Sequence, residues 1–158
     1  MEYKKADLRD LQTVFEIVQR TIKAVYPKYY PQGVVDFFSQ LHNEENIKRD
    51  IESGTTGLLF DNGAAVGTGC YKENHITRVY VLPEYQNKGC GNYIMDCLEQ
   101  EIARKFDRVN LDASLPASHL YEKRGYKTIK HESWTAEDGA VLVYEIMEKE
   151  LAVKEAEE

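Results

Sequence analysis

Residues 76–93, ITRVYVLPEYQNKGCGNY, constrain this chain more than any other stretch. They begin as a β-branched run, Ile76–Leu82, which stops at Pro83 because proline cannot donate to a strand ladder. Gln86-Asn87-Lys88-Gly89-Cys90-Gly91 follows, and after it a helical pattern begins. A strand that feeds a glycine-bearing turn and then a helix start has a definite use. The amides of the first helical turn have no partner inside the helix, and the helix dipole is positive there. Small residues let an anion approach those amides closely, so the bend suits a diphosphate.

Two nucleotide readings fit less well. A Walker loop needs Gly-Lys followed by Ser or Thr, and the order here is Lys88-Gly89-Cys90. The dinucleotide fingerprint needs three glycines in a fixed register after an early strand. What fits is Q-x-x-G-x-G after a V-Y-V-x-P strand, which resembles the acyl-coenzyme A signature of the GNAT superfamily of N-acetyltransferases. The block from Leu111 to Tyr126 is similar to that family's downstream A-x-x-x-Y-E-K-x-G-[FY] motif. The two motifs stand in the family's order and spacing. The resemblance is good over residues 55–149 and weak over the first fifty.

Length allows one domain with a real core, over residues 1–150, followed by an acidic tail at 151–158. The net charge of −7 argues against nucleic acid as a main partner, because phosphate binding needs clustered Lys and Arg. It is compatible with a cationic amine substrate. No apolar run spans a bilayer, and MEYKKADLRD lacks the apolar core of a secretory signal, so no membrane role is expected. Cys70, Cys90 and Cys97 show no metal-ligand spacing. An odd cysteine count without a signal peptide points to structural thiols in a reducing cytoplasm. Cys90, inside the glycine turn, is expected to be partly exposed.

Taken in order, Met1–Lys5 is a short strand and Asp7 the N-cap of a helix running to about Tyr26, with Leu8, Leu11, Val14, Phe15, Val18 and Ile22 on its apolar face. Helices follow around Val34–Leu41 and over Glu44–Glu52. Thr55–Phe60 and Ala64–Tyr71 are strands turned at Asp61-Asn62-Gly63, and His75–Leu82 is the next. A helix runs from Gly89 to Lys105, then a strand at Arg108–Asp112. The next helix has Pro116 in its first turn and Gly125 just past its end. Tyr126–Trp134 and Ala140–Lys149 close the chain as a hairpin, and the tail beyond has no apolar partner. This is a mixed α/β domain. The resemblance implies the GNAT fold, a mostly antiparallel central sheet, flanked by helices, whose two middle strands splay apart to admit the coenzyme.

The resemblance also implies roles. Acetyl-coenzyme A is the co-substrate, no metal is needed, and the diphosphate lies on the amides of Gln86, Asn87, Lys88, Gly89, Cys90, Gly91 and Asn92. The pantetheine arm pairs with backbone groups of Val79 and Val81, and the Val79 amide is the oxyanion donor. Ser114 stands where relatives often carry an asparagine that touches the pantetheine. Tyr121 falls on the tyrosine of Y-E-K-x-G, whose hydroxyl can protonate a thiolate leaving group. His75 occupies the strand position where relatives often hold a glutamate base, and imidazole can take a proton directly or through water. The acceptor is an amine of a small molecule or peptide, received by the aromatic stretch of Tyr26, Tyr29, Tyr30, Phe37 and Phe38. The terminal strands are a candidate homodimer edge. A catalytically silent acyl-coenzyme A-binding regulator is the alternative function.

Overall fold

Asp7 begins the first helical segment with a capping box: its carboxylate accepts from Arg9 N at 2.9 Å, and Asp10 Oδ2 accepts from Asp7 N at 2.9 Å. The turn it caps, Leu8–Asp10, is 3-10 rather than the start of one long helix. The computed structural model describes residues 1–152, so most of the expected acidic tail, 153–158, lies outside the described residues. Helix α1 spans Leu11–Val25 and buries Val14, Ile17, Val18, Thr21 and Ile22 on one stripe. Pro27 does not end the segment outright. It sits at the start of a second 3-10 turn, Tyr26–Lys28, where its missing N–H costs nothing. Helices α2 (Gln32–Leu41) and α3 (Glu44–Glu52) follow, the latter capped by Asn43.

Seven strands form one sheet in the order β1-β2-β3-β4-β5-β7-β6. They are β1 (Glu2–Lys5), β2 (Thr56–Asp61), β3 (Ala64–Lys72), β4 (His75–Val81), β5 (Arg108–Ala113), β6 (Lys127–Thr135) and β7 (Val141–Glu150). Every pairing is antiparallel except β4 with β5. Helix α4 (Cys90–Ile102) joins β4 to β5, and α5 (Ser118–Lys123) precedes the closing hairpin. One core lies between the sheet and α1, α2 and α3; the other lies between the sheet and α4, with Tyr121 and Tyr126. Gly69 makes the second core shallow. A Cβ there would stand 2.6 Å from Ile94 Cγ2, so α4 rests directly on β3.

Two local features depart from the sequence reading. Pro116 precedes α5 instead of opening it, because Ser114 O accepts from both Ala117 N and Ser118 N and closes a turn first. Leu151 is not without a partner: its N–H donates to Asp107 O at 2.7 Å, and it packs against the second core. Among the described residues no helix is long and apolar enough to cross a membrane.

Candidate active site

Strands β4 and β5 share only two residue pairs, His75 with Asn110 and Ile76 with Leu111. Beyond them the strands separate. The cause lies in β4 itself. Its register against β3 slips between Cys70 and Tyr71, leaving Thr77 as the extra residue of a bulge. The bulge also switches faces: Ile76, Val79 and Val81 join the α4 core, whereas Tyr80 and Leu82 join the core under α1.

Hydrogen-bond alternation fixes which backbone groups face the gap. Leu82 N donates to Val66 O at 2.9 Å, so the groups of Tyr80 and Arg78 also point to β3. Those of Val79 and Val81 point the other way, into the opening. Val81 O is already taken by Thr21 Oγ1 at 3.3 Å and Gln86 Nε2 at 3.0 Å. Val79 keeps both its N–H and its C=O without a ladder partner among the described residues.

The opening leads into a cavity of about 740 Å³. At one end lies the bend before α4. Asn87 and Gly89 both take left-handed backbone, φ +62° and +85°, which Asn tolerates and Gly adopts freely. Gly89 is the N-cap and offers no side-chain cap, so the first-turn amides of α4 stay open. Gly91 serves packing as well: a Cβ there would meet Leu120 Cδ2 at 3.2 Å. Gln86, Asn87, Gly89, Gly91 and Asn92 line the cavity. Lys88 and Cys90 do not. The Lys88 ammonium lies 5.6 Å from the centre of the Tyr85 ring. Cys90, expected to be partly exposed, is 2% exposed, because the first turn of α4 points it into the core beside Met1. Cys90 can offer a diphosphate its main-chain amide only, whereas the exposed Lys88 keeps a mobile ammonium beside the bend.

Tyr121 enters from α5. It is buried, packs edge-on to Tyr126 at 5.8 Å between centroids, and lines the cavity. Its hydroxyl takes no hydrogen bond among the described residues. Burial, reinforced by nearby Tyr26, raises its pKa well above 10, so the phenol carries its proton at neutral pH. Ser114, at the end of β5, lines the cavity too, with its hydroxyl turned to that of Tyr26.

His75 is half-buried at the mouth of the splay. Its Nδ1 is hydrogen-bonded to Asn110 Oδ1, and its Nε2 lies 3.7 Å from Asp112 Oδ2. The Asp112 carboxylate beside it outweighs partial burial and raises its pKa above the usual 6.5.

The first core supplies the remaining wall. Tyr26, Tyr29, Phe37 and Phe38 line the cavity, but Tyr30 does not; its hydroxyl accepts from Leu115 N at 2.7 Å and holds the loop before α5. Trp134, Arg78 and His42 are among the lining residues that carried no functional expectation. Trp134 of β6 stacks on Phe37 at 4.0 Å between centroids. Arg78 of β4 is 4% exposed and donates from Nε to His42 Nδ1 at 3.1 Å and from Nη2 to Asp50 at 2.9 Å. Arg78 was visible as a charge two residues from core Ile76 on one strand. His42 and Trp134 carried no such sign.

A charged network ties the two ends of the site together. Arg124, just past α5, donates to Glu99 and Asp96 on α4 and to Asn92 in its first turn. Glu99 also accepts from Tyr126 at 2.9 Å and Lys149 at 2.8 Å. The helix bearing Tyr121 is thereby clamped to the helix bearing the open amides.

Comparison with known proteins agrees with this geometry. The model of the acetyltransferase (GNAT) domain matches residues 25–151. An uncharacterised N-acetyltransferase of Escherichia coli, YafP, is 22% identical over 123 residues, covering 78% of this chain and 79% of that protein. A GCN5-related N-acetyltransferase from Rhodopseudomonas palustris superposes with a TM-score of 0.86 at 23% identity, over 95% of both chains. The PaiA N-acetyltransferase of Thermoplasma acidophilum, solved with coenzyme A, gives 0.73 at 20% identity, over 94% of this chain and 98% of that one. A domain match over most of the chain and a sheet parted after two residue pairs lead to one conclusion: this protein belongs to the GNAT family and is an acetyl-coenzyme A-dependent acyltransferase.

Proposed function

We propose that the protein transfers the acetyl group of acetyl-coenzyme A to a primary amine of a small molecule or peptide by direct attack on the thioester. The observation that carries this reading is the convergence, on one cavity, of the free Val79 backbone, the open amides beyond Gly89 and the unpartnered Tyr121 hydroxyl. The diphosphate rests on the α4 amides. The pantetheine lies along Val79 and Val81, with Ser114 across the gap. The amine nitrogen bonds to the carbonyl carbon, and the oxyanion that forms is met by Val79 N–H. The C–S bond then breaks, and Tyr121 gives its proton to the departing sulfur. The proton lost by the amine goes to His75 or to water.

The free thiols Cys70, Cys90 and Cys97 support a reducing cytoplasm as the setting. The outer edge of β6, with Ile129 and Val143 exposed nearby, is the edge through which a homodimer would pair. The test is thiol release from acetyl-coenzyme A over an amine panel, with products weighed by mass spectrometry. Acetylated amine is the expected product. Tight coenzyme binding without release for any amine would favour the silent regulator instead.

A further inference from the structure

One wall of the cavity holds a histidine whose hydrogen-bonding state is set by its own neighbours. His42 ends α2 and lines the cavity. Its position is set from behind, because Gln19 Nε2 donates to both Ser39 O and His42 O, at 3.0 and 2.9 Å. Its Nδ1 accepts from Arg78 Nε. A guanidinium can only donate, so Nδ1 must be bare, and the ring proton sits on Nε2. Burial and the Arg78 charge lower the His42 pKa to about 3, which keeps the ring neutral and this tautomer fixed. His42 is therefore unfit as a base and permanently equipped as an N–H donor.

Arg78 lines the same cavity. Arg78 Nη1 is buried and takes no hydrogen bond among the described residues. Asp50 balances the guanidinium charge, so this corner reads hydrogen-bond direction more than net charge. The cavity is poor in groups that would hold a second ammonium. Asp112 is the one carboxylate among the described lining residues, and His75 already engages it. The ring of Tyr80 lies edge-on to His42 at 5.3 Å between centroids, and the cavity they share is also lined by apolar Phe37, Phe38, Leu41, Trp134 and Leu142.

We infer that the acceptor is an amine with an apolar body that also carries a carboxyl-derived oxygen, which His42 Nε2–H, backed by Arg78, binds. A polyamine or a simple alkylamine leaves that donor unmatched. Two sources share this chemistry: the carboxylate of a free apolar amino acid, and the first carbonyl of a peptide beginning with an apolar residue. The assignment rests on the acetyltransferase reading for its amine, but not for its test.

Trp134 is the single tryptophan of the chain and lies in the cavity wall, so its fluorescence reports occupancy without turnover. The full chain, saturated with coenzyme A, is titrated with L-phenylalanine, phenylalaninamide, phenethylamine and spermidine. Phenylalanine or its amide should bind at least about tenfold more tightly than phenethylamine, with spermidine weakest. Phenylalanine leading its amide identifies a free amino acid; the amide equal or ahead identifies a peptide N-terminus. His42→Ala should shrink the advantage to about twofold, and His42→Gln, which keeps a donor, should retain part of it. Phenethylamine binding as well as the other two, or no response to any of them, overturns the inference. The expected order without thiol release would instead remove the transferase reading and leave the pocket assignment standing.

Discussion

Replacing Tyr121 with phenylalanine separates chemistry from architecture. The ring is buried against Tyr126, and phenylalanine keeps that contact. The hydroxyl has no protein partner among the described residues, so its removal orphans nothing. Stability should change by less than about 1 kcal/mol, a shift of no more than roughly 2–4 °C in Tm for a chain of this size. Coenzyme binding should hold within about twofold, since the amides and the Val79 backbone are untouched. Turnover should not hold. A positioned general acid contributes on the order of 100-fold or more, so kcat should fall by about that factor with KM for acetyl-coenzyme A little changed. Steady-state thiol release, calorimetric binding and a melting curve on both proteins make the comparison. Unchanged kcat would remove Tyr121 from the mechanism. A fall in Tm as marked as the fall in rate would show that the hydroxyl serves the fold.

The other perturbations act on neighbouring parts of the site. If His75 is the base, kcat/KM should rise with pH through a value above 6.5, Asp112→Asn should move that rise toward acid, and His75→Ala should abolish it; an unchanged profile dismisses the residue. The same raised pKa means that the pairing with Asp112 adds stability in full below about pH 6.5 and loses it as pH climbs through the folded value, which melting curves across that window read directly. Glu99→Ala leaves Arg124 and Lys149 without their central carboxylate and should cost about 3 kcal/mol, roughly 6–12 °C in Tm; a loss within 2 °C would mean that the network is not structural. Gly89→Ala meets no atom within 4 Å but must hold φ +85°, so it should cost about 1 kcal/mol and raise KM for acetyl-coenzyme A, seen by melting and by kinetics.

The strand, bend and helix over 76–93 were legible because each rests on local chemistry: β-branched residues, a proline stop, and glycines where the backbone turns left-handed. The helical stripes of α1 and α3 were legible for the same reason. The parting of β4 from β5 was not, since it depends on a bulge at Thr77 that appears only when β3 is laid alongside. The burial of Cys90 escaped because a residue beside two glycines looks open until the first turn of α4 aims it inward. His42 and Arg78 meet across 36 positions, and Phe37 meets Trp134 across nearly a hundred. No periodicity encodes such pairs. Under the proposed function, the bend offered to the diphosphate is built from neighbours in sequence, whereas the wall offered to the amine is assembled from residues far apart in the chain.

A sheet whose centre is stitched by two rungs has unspent bonding capacity along its middle. A pantetheine arm laid in the seam would act as a missing strand, bridging two strands that otherwise pair only at His75 and Ile76. Cell metabolism would then set the mechanical integrity of the molecule: at about a hundred times its dissociation constant the coenzyme would add roughly 2.7 kcal/mol to folding. Starved of it, the protein would be easier to pry open along its own active site.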